Sequence, residues 1–315
     1  MKITITGATG FVGSNLNKYL KTSCEVFSMS ARYPITKEVK LNGDAIIHLA
    51  GKAHDLKIVS QPQEYYNANF ELTKQLYDAF LVSDVSVFIF MSTVKAAADQ
   101  VDGVLTEEGV VKSNPDVSGQ IPNSNVEIAQ PKTHYGIAKQ MAEQYILSQE
   151  LPVGKRVYIL RPCMIHGPCN KGNLNLLYQL VAKGLPWPLG AFGNQRSFLS
   201  IENLCFVIKE LLEHEGIPSG VYNAADDASL STNDLIQVLG ESLGKPAKIF
   251  NLSPKVIRSF AKLGDVLPLP LNSERLQKLT ESYVVSNQKI VNAIGKPLPV
   301  SAKEGLKKTF ESFKV

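Results

Sequence analysis

The sequence predicts an α/β fold: a doubly wound parallel sheet with a shortened first half, carrying a smaller C-terminal lobe. Three observations predict it. Short β-branched or apolar runs alternate with helix-period segments up to about residue 165, the pattern of strand–helix units around a parallel sheet. The first run, Lys2-Ile3-Thr4-Ile5-Thr6, meets a glycine turn at the start of a helix. Beyond about residue 165 the alternation gives way to irregular, helix-rich sequence. A length of 315 residues suits two lobes, given roughly 150 residues per domain. The expected division is 1–165 for the sheet domain, which also receives a segment near 200–225, and 166–315 mainly for a second lobe.

The glycine turn is Gly7-Ala8-Thr9-Gly10-Phe11-Val12-Gly13. Gly7 permits the tight exit from the strand, Gly10 lets a pyrophosphate approach the backbone, and Gly13 lets the helix pack close to the sheet. The N–H groups and the positive dipole end of the following helix face the phosphates. Glycines at this spacing are weak evidence in a chain that holds 22 of them. Their place at the first strand–helix junction is what makes them a dinucleotide signature.

Glu25 to Met29 reads as the second strand and Asp44 to Ala50 as the third. The gap between Tyr33 and Gly43 is too short for a full crossover, so one strand of the usual first half is expected to be missing. Phe70, Leu72, Leu76 and Phe80 repeat at helical spacing over 67–81. Val85 to Met91 is an apolar strand ending at Ser92-Thr93. Asp99 to Pro131 is polar and rich in Asn, Gly, Pro and Ser, as long functional loops often are. A helix is expected from His134 to Gln149, a strand from Arg156 to Leu160, an amphipathic segment from Gly172 to Gly184, a helix from Ile201 to Glu215 and a short strand at Gly220 to Ala224.

Composition narrows the function. Hydrophobic residues make up 44% and charged residues 20%, as in soluble globular proteins. The net charge of +4 comes with no lysine or arginine run, so nucleic acid is not an expected partner. No apolar run reaches the ~18 residues of a membrane span, and the chain enters a strand without a signal peptide. Cys24, Cys163, Cys169 and Cys205 form no C-x-x-C pair and no zinc pattern. They suit a reducing cytoplasm, and no metal site is expected.

Tyr135 and Lys139 stand four apart on one helix face. A free tyrosine with a pKa near 10 is a poor base, and a neighbouring ammonium favours its phenolate. Such a tyrosine can take a proton from a sugar hydroxyl or return one to a ketone. Taken alone, the pair is also what a solvated helix face produces. Thr93 changes that reading, because it ends a buried strand at the carboxyl edge where ligands of such sheets bind.

These residues carry a resemblance. The chain resembles the extended short-chain dehydrogenases/reductases of the nucleotide-sugar epimerase/dehydratase type, with a Rossmann-type sheet. The matching pieces are Gly7-x-x-Gly10-x-x-Gly13, Asp44-x-x-x-His48-Leu49-Ala50, Asn69-x-x-x-Thr73, Ser92-Thr93, Tyr135-x-x-x-Lys139, Arg161-Pro162-x-x-x-x-Gly167-Pro168 and Arg196-Ser197-Phe198. They occur in family order over nearly the whole chain. Within the family the chain looks most like epimerase/reductase proteins of surface-polysaccharide gene clusters. The resemblance implies Thr93, Tyr135 and Lys139 as the catalytic trio. It implies Gly7, Thr9, Gly10, Phe11, Val12, Gly13, Leu49, Ala50, Gly51, Asn69, Ser92, Tyr135, Lys139 and Pro162 around an NAD(P) cofactor, with the segment after Pro162 closing over the nicotinamide. Thr93, Asn173, Leu174 and Arg196 would hold a UDP-linked sugar, Arg196 through its bidentate fork, and the protein would be a homodimer.

Two departures bear on function. NAD-dependent members end the second strand with an acid that binds the ribose 2′-hydroxyl. Here Ser30 and Arg32 stand there instead, which favours NADP over NAD. The Asp-Glu pair that follows the strand-end Thr in the family's 4,6-dehydratases is replaced by Val94-Lys95, which argues against water elimination. His48, His54 and His166 read as structural. Two activities remain open: 4-epimerisation through transient C4 oxidation, and NADPH-dependent reduction of a 4-keto sugar. A non-catalytic dinucleotide sensor is disfavoured because Thr93, Tyr135 and Lys139 are all kept.

Overall fold

The computed structural model describes residues 1–36, 38–53, 61–112, 126–168, 170, 173–267 and 271–314, and leaves out the side chains of Asn173 and Lys314. His54, Cys169, Gly172 and the 113–125 part of the long loop lie outside the described residues.

The first half contains β1 (Lys2–Thr6), α1 (Phe11–Leu20), β2 (Glu25–Met29) and β3 (Ala45–His48). Helices α2 (Pro62–Tyr66) and α3 (Leu72–Val82) follow, joined by a π-helical turn over Asn67–Glu71, and then β4 (Val87–Met91). The long loop carries three two-residue strands, β5 (Val104–Leu105), β6 (Val110–Val111) and β7 (Val126–Glu127). Helix α4 (His134–Ser148) and strand β8 (Arg156–Pro162) come next. The second half continues through β9 (Met164–His166), α5 (Asn173–Ala182), β10 (Arg196–Ser200), α6 (Ile201–Glu213) and β11 (Gly220–Ala224). It ends with β12 (Ser229–Leu230), α7 (Thr232–Leu243), α8 (Pro254–Gly264), α9 (Ser273–Thr280), β13 (Val284–Val285), α10 (Gln288–Ile294) and α11 (Ala302–Glu311).

Six strands form one parallel sheet in the order β11-β8-β4-β3-β1-β2. From β2 the chain returns to pair β3 on the other side of β1. Among the described residues no strand lies outside β2, as the short Tyr33–Gly43 gap requires. The chain therefore reverses its direction across the sheet between β1 and β3, and the carboxyl ends there frame the crevice in which such sheets bind ligands.

One face of the sheet is covered by α1 and α6, packed with Ile3, Ile5, Leu16, Leu20, Leu204 and Leu211. The other is covered by α3 and α4 over Ile46, Leu76, Tyr77, Phe80, Phe88 and Ile146. Lys155, just before β8, and Arg156, its first residue, bind the ends of both layers. Lys155 Nζ donates to the carbonyls of Phe80, Ser83 and Val85 at 2.9, 2.6 and 2.8 Å, past the end of α3. The Arg156 guanidinium donates to the carbonyls of Leu211, Leu212 and His214 at 3.3, 3.3 and 3.1 Å, at the end of α6. Cations at these positions satisfy the free carbonyls and the negative dipole end of each helix.

A second core joins α5, α7 and α11 around Leu174, Trp187, Phe198, Leu239, Leu306 and Phe310. Its three-stranded sheet, β12-β10-β9, begins directly after β8. Buried polar contacts fasten it. Asp226 accepts the Ser200 N–H at 2.9 and 3.0 Å and the Asn203 amide at 2.7 Å. His166 lies between Asp226, at 3.4 Å, and Thr309, at 2.9 Å.

Phe80 is fully buried, with its ring centroid 5.7 Å from Tyr77 and 5.3 Å from Phe88. Phe80→Ala should cost about 3–5 kcal/mol, read as a lowered urea midpoint with an unchanged m-value.

Candidate active site

At Gly7 and Gly13 the turn leaves no room for a side chain. Gly7 has φ +69°, a left-handed conformation that favours glycine. A Cβ on Gly13 would meet the Gly7 carbonyl oxygen at 2.2 Å and Ala8 Cα at 2.6 Å. Gly10 is exposed, and a Cβ there would approach only the Gly7 oxygen, at 3.3 Å. Helix α1 starts after Gly10 with no side-chain cap and no acid in its first turn. The Ser14 hydroxyl and Asn15 amide both turn back to the Phe11 carbonyl. The turn thus offers backbone donors with no competing carboxylate, which fits a dinucleotide pyrophosphate. Thr9 is exposed beside Gly10, while Phe11 and Val12 pack partly against the core.

At the end of β2, Ser30 and Arg32 are both exposed. At the end of β3, Leu49 and Ala50 are half-buried and Gly51 exposed. The loop that follows is held by Asn69. Its amide oxygen accepts the Lys52 N–H at 3.1 Å, and its amide nitrogen donates to the carbonyls of Lys52 at 2.9 Å and Tyr65 at 3.1 Å. Asn69 is fully buried within the π-helical turn; such turns often mark functional sites. The sequence placed Asn69 against the cofactor, and the structure has its side chain holding the loop. Beneath it, Thr73 donates to the Asn69 carbonyl at 2.8 Å, so its hydroxyl oxygen accepts from His48 Nε2 at 3.0 Å. His48 Nδ1 then accepts from Thr6, at 2.8 Å. The fully buried ring is a satisfied neutral imidazole, its pKa lowered to about 3 by burial and by Lys139.

Thr93, Tyr135 and Lys139 converge where β4 meets the start of α4. Thr133 caps that helix by accepting the Gly136 N–H at 3.2 Å. Asp99, from the long loop, accepts the N–H groups of Lys132 and of Thr133, the latter at 3.0 Å. Tyr135 is half-buried and hydrogen-bonded to the Thr93 side chain. Burial pushes its phenol up to about 12, offset in part by that hydrogen bond. Lys139 is buried one turn further along, its Nζ donating to the Met91 carbonyl at 2.7 Å and lying 4.6 Å above the Phe90 ring. Burial lowers its pKa to about 7, against the opposing pull of Glu143. The sequence suggested that Lys139 would depress the Tyr135 pKa. In the structure burial dominates both groups, and the ammonium is turned to a backbone carbonyl.

Glu143 is a buried residue behind Tyr135 and Lys139 that the sequence did not single out. It stands four residues beyond Lys139, a spacing on the same helix face that could have drawn attention. The buried Glu143 carboxylate accepts from Ser92 Oγ, from Arg161 Nε at 3.0 and 3.1 Å and from Arg161 Nη2 at 2.5 Å. The helix bearing Tyr135 is thereby tied to the ends of β4 and β8. Pro162, buried, ends β8 beside it.

The residues expected to hold a substrate are less uniform. The Leu174 side chain is buried in the second core, so its N–H in the first turn of α5 is what it can present. Asn173 begins that helix, and its side chain lies outside the described residues. Arg196 is half-buried, donating to the Lys278 carbonyl at 2.8 Å and to Glu281 at 3.3 Å. His166 is fully buried, as a structural histidine would be. Val94 is buried and the Lys95 ammonium donates to the Asp99 carbonyl at 2.6 Å, so neither forms an acid/base pair. Among the described residues no group of side chains could hold a metal.

Residues 3–225 match the family described as the NAD dependent epimerase/dehydratase family. The chain is 28% identical to a UDP-glucose 4-epimerase of Vibrio cholerae, over 99% of this chain and 95% of that protein. Its fold is similar to MoeE5, solved with UDP-glucuronic acid and NAD, at a TM-score of 0.71 and 18% identity, covering 100% of this chain and 99% of that one. It is also similar to a human epimerase family protein solved with NADPH, at a TM-score of 0.69 and 18% identity over 99% of each chain.

The low Lys139 pKa has a consequence for stability. The unfolded chain keeps this proton up to about 10.5, and the folded chain releases it near 7. Between these values the unfolded state binds more protons. The stability contribution of Lys139 therefore rises with pH, by up to about 1.4 kcal/mol per unit, and the cost of burying the charge is full below about pH 7. Chemical denaturation of the Lys139→Met variant at a series of pH values should show this slope removed relative to the parent protein.

Proposed function

The chain belongs to the NAD-dependent epimerase/dehydratase family, and from that premise we propose that it is a nucleotide-sugar 4-epimerase acting on a UDP-linked sugar. The observation that carries this reading is the hydrogen-bonded Thr93–Tyr135 pair, with Lys139 one turn behind it, at the carboxyl edge of the dinucleotide-binding sheet. Gly7, Gly10, Gly13 and the start of α1 would hold the cofactor pyrophosphate. Leu49, Ala50 and Gly51 would line its path to the nicotinamide site. The bound nicotinamide supplies a reversible hydride acceptor and, when oxidised, a positive ring charge.

The chain's own work is proton transfer and positioning. Thr93 holds the C4 oxygen of the sugar in place by a hydrogen bond. Tyr135 takes the C4 hydroxyl proton as hydride leaves that carbon, and returns a proton when hydride comes back to the opposite face. A phenol held near 12 by burial stays protonated at neutral pH, so it carries a proton to give but must be brought to the phenolate before it can take one. Cationic charge near the phenol, from Lys139 and the oxidised ring, would favour the phenolate in the first half of the cycle. Asn69, Glu143 and Arg161 act through the residues they hold and are positioning residues.

A second reading, reduction of a nucleotide-linked 4-keto sugar by NADPH, is favoured by one observation. Ser30 and Arg32 are exposed just past β2, where no carboxylate would repel a 2′-phosphate. We propose on the same ground that NADP is preferred over NAD. Water elimination is set aside because Val94 and Lys95 cannot supply its acid and base.

Tyr135→Phe should lower kcat by about 10²–10⁴-fold with UDP-sugars while leaving dinucleotide binding intact, measured by turnover and by fluorescence titration. Unchanged turnover would remove Tyr135 from the mechanism. Dinucleotide that copurifies and is regenerated without net consumption supports the epimerase; stoichiometric NADPH oxidation with a 4-keto sugar supports the reductase. The Ser30→Asp/Arg32→Ala variant should shift the NADP-to-NAD affinity ratio toward NAD by about 10–100-fold, the worth of one charge-assisted phosphate contact.

A further inference from the structure

Helix α8 leaves a face of the second lobe uncovered. Ile257 and Ala261 bury its inner edge. Val256, Phe260 and Leu263, at i, i+4 and i+7, form a stripe whose members are 61%, 49% and 55% exposed. The chain on either side extends the apolar surface, with Phe250 and Leu252 before the helix and Val266 and Leu267 after it, all exposed. Single exposed apolar residues are ordinary, but a contiguous set marks a contact surface.

A second stripe lies beside the first. Lys255, Arg258 and Lys262, at i, i+3 and i+7, are all exposed. The outward-facing Ser259 separates them from the apolar stripe. The helix PKVIRSFAKLG contains no acidic residue. The next carboxylate, Asp265, is engaged by the Ser273 N–H at 2.8 Å and hydroxyl at 2.6 Å. A second feature lies upstream along the chain. Val181, Leu185, Ile236 and Pro246 line a cavity of about 190 Å³ that also includes Lys245 and Lys248. The segment running from that cavity to Phe250 is pinned along Trp187, whose N–H donates to the Lys248 carbonyl at 2.7 Å and whose carbonyl accepts the Phe250 N–H at 2.8 Å.

We infer that α8 and its flanks dock on an anionic lipid bilayer, lying in the interface without crossing it. Exposed Phe, Leu and Val supply the part that enters the headgroup region, and the adjacent cations meet lipid phosphates. The charge pattern selects this occupant over a second copy, because a symmetric contact through α8 would bring cations to a helix that has no acid to receive them. No helix among the described residues is long and apolar enough to cross a membrane, so the contact is peripheral. The sequence alone, with no apolar run long enough to span a bilayer, led to the expectation of no membrane partner; a peripheral contact departs from that expectation.

The test is flotation of the full chain with vesicles of phosphatidylcholine alone, and with vesicles containing about 30% phosphatidylglycerol. The protein should float with the anionic vesicles and not with the neutral ones. Phe260→Glu/Leu263→Glu should abolish flotation. Lys255→Gln/Arg258→Gln/Lys262→Gln should weaken partitioning about 100-fold, at about fivefold per charge. Both variants should keep parental dinucleotide binding, which shows that they fold. Absence of flotation, equal flotation with neutral vesicles, or flotation of the Glu variant at the parental level each overturns the proposal. A dimer in sedimentation velocity that the Glu variant breaks, with no flotation of the parent, assigns the face to a second copy instead. Retention of the parent on an acidic polypeptide, again without flotation, assigns it to an acidic protein.

Discussion

Glu143 accepts from Ser92 at the end of β4 and from Arg161 in β8, while standing one turn beyond Lys139 on the helix that begins with His134 and Tyr135. Three elements that meet only through the fold are joined at one buried carboxylate. A buried charge of this kind is tolerable only while paired and fully hydrogen-bonded, so each partner's position is set by the others. The placement of Tyr135 over Thr93, and of Lys139 against the Met91 carbonyl, follows from how α4 is held on the strand ends. At its N-terminus the same helix is held by Thr133 and by Asp99 from the long loop. The helix bearing Tyr135 and the start of the long loop are therefore mechanically continuous.

Burial governs the electrostatics of Tyr135 and Lys139. Burial moves Tyr135 and Lys139 in the directions that oppose ionisation of each, upward for the phenol and downward for the ammonium. Charge introduced into such surroundings acts strongly, because little water screens it. The neutral, fully buried His48, fixed between Thr6 and Thr73, lies beneath the loop that Asn69 shapes. The arrangement suits an enzyme of the extended short-chain dehydrogenase/reductase type, whose chemistry moves a proton and a hydride within one closed site.

The second lobe is assembled from segments far apart in sequence. Asp226, just past β11, reaches β10 and α6 through Ser200 and Asn203, and Asn203 in turn holds both polar groups of the Val300 backbone. His166 links that cluster to α11 through Thr309. This anchoring at the junction with the sheet contrasts with α8, which keeps only a narrow buried edge.

The sequence by itself determined the features that depend on local periodicity and backbone sterics. The parallel strands, the glycine turn, the lost strand after β2, and the Tyr135/Lys139 spacing could be read because period, glycine and chain length act within a few residues of one another. The tertiary structure decided how side chains spend their polar groups. Asn69 was expected to line the cofactor, yet its amide goes to the Lys52 backbone from within a π-helical turn. Leu174 went to the second core and Arg196 to Glu281, since both lie where packing between distant segments sets the partner. Glu143 gained its role from Arg161 and Ser92, which no spacing along the chain brings near it. The same reason kept the open face of α8 out of view: amphipathic period marks a helix, but only packing tells which apolar residues remain uncovered.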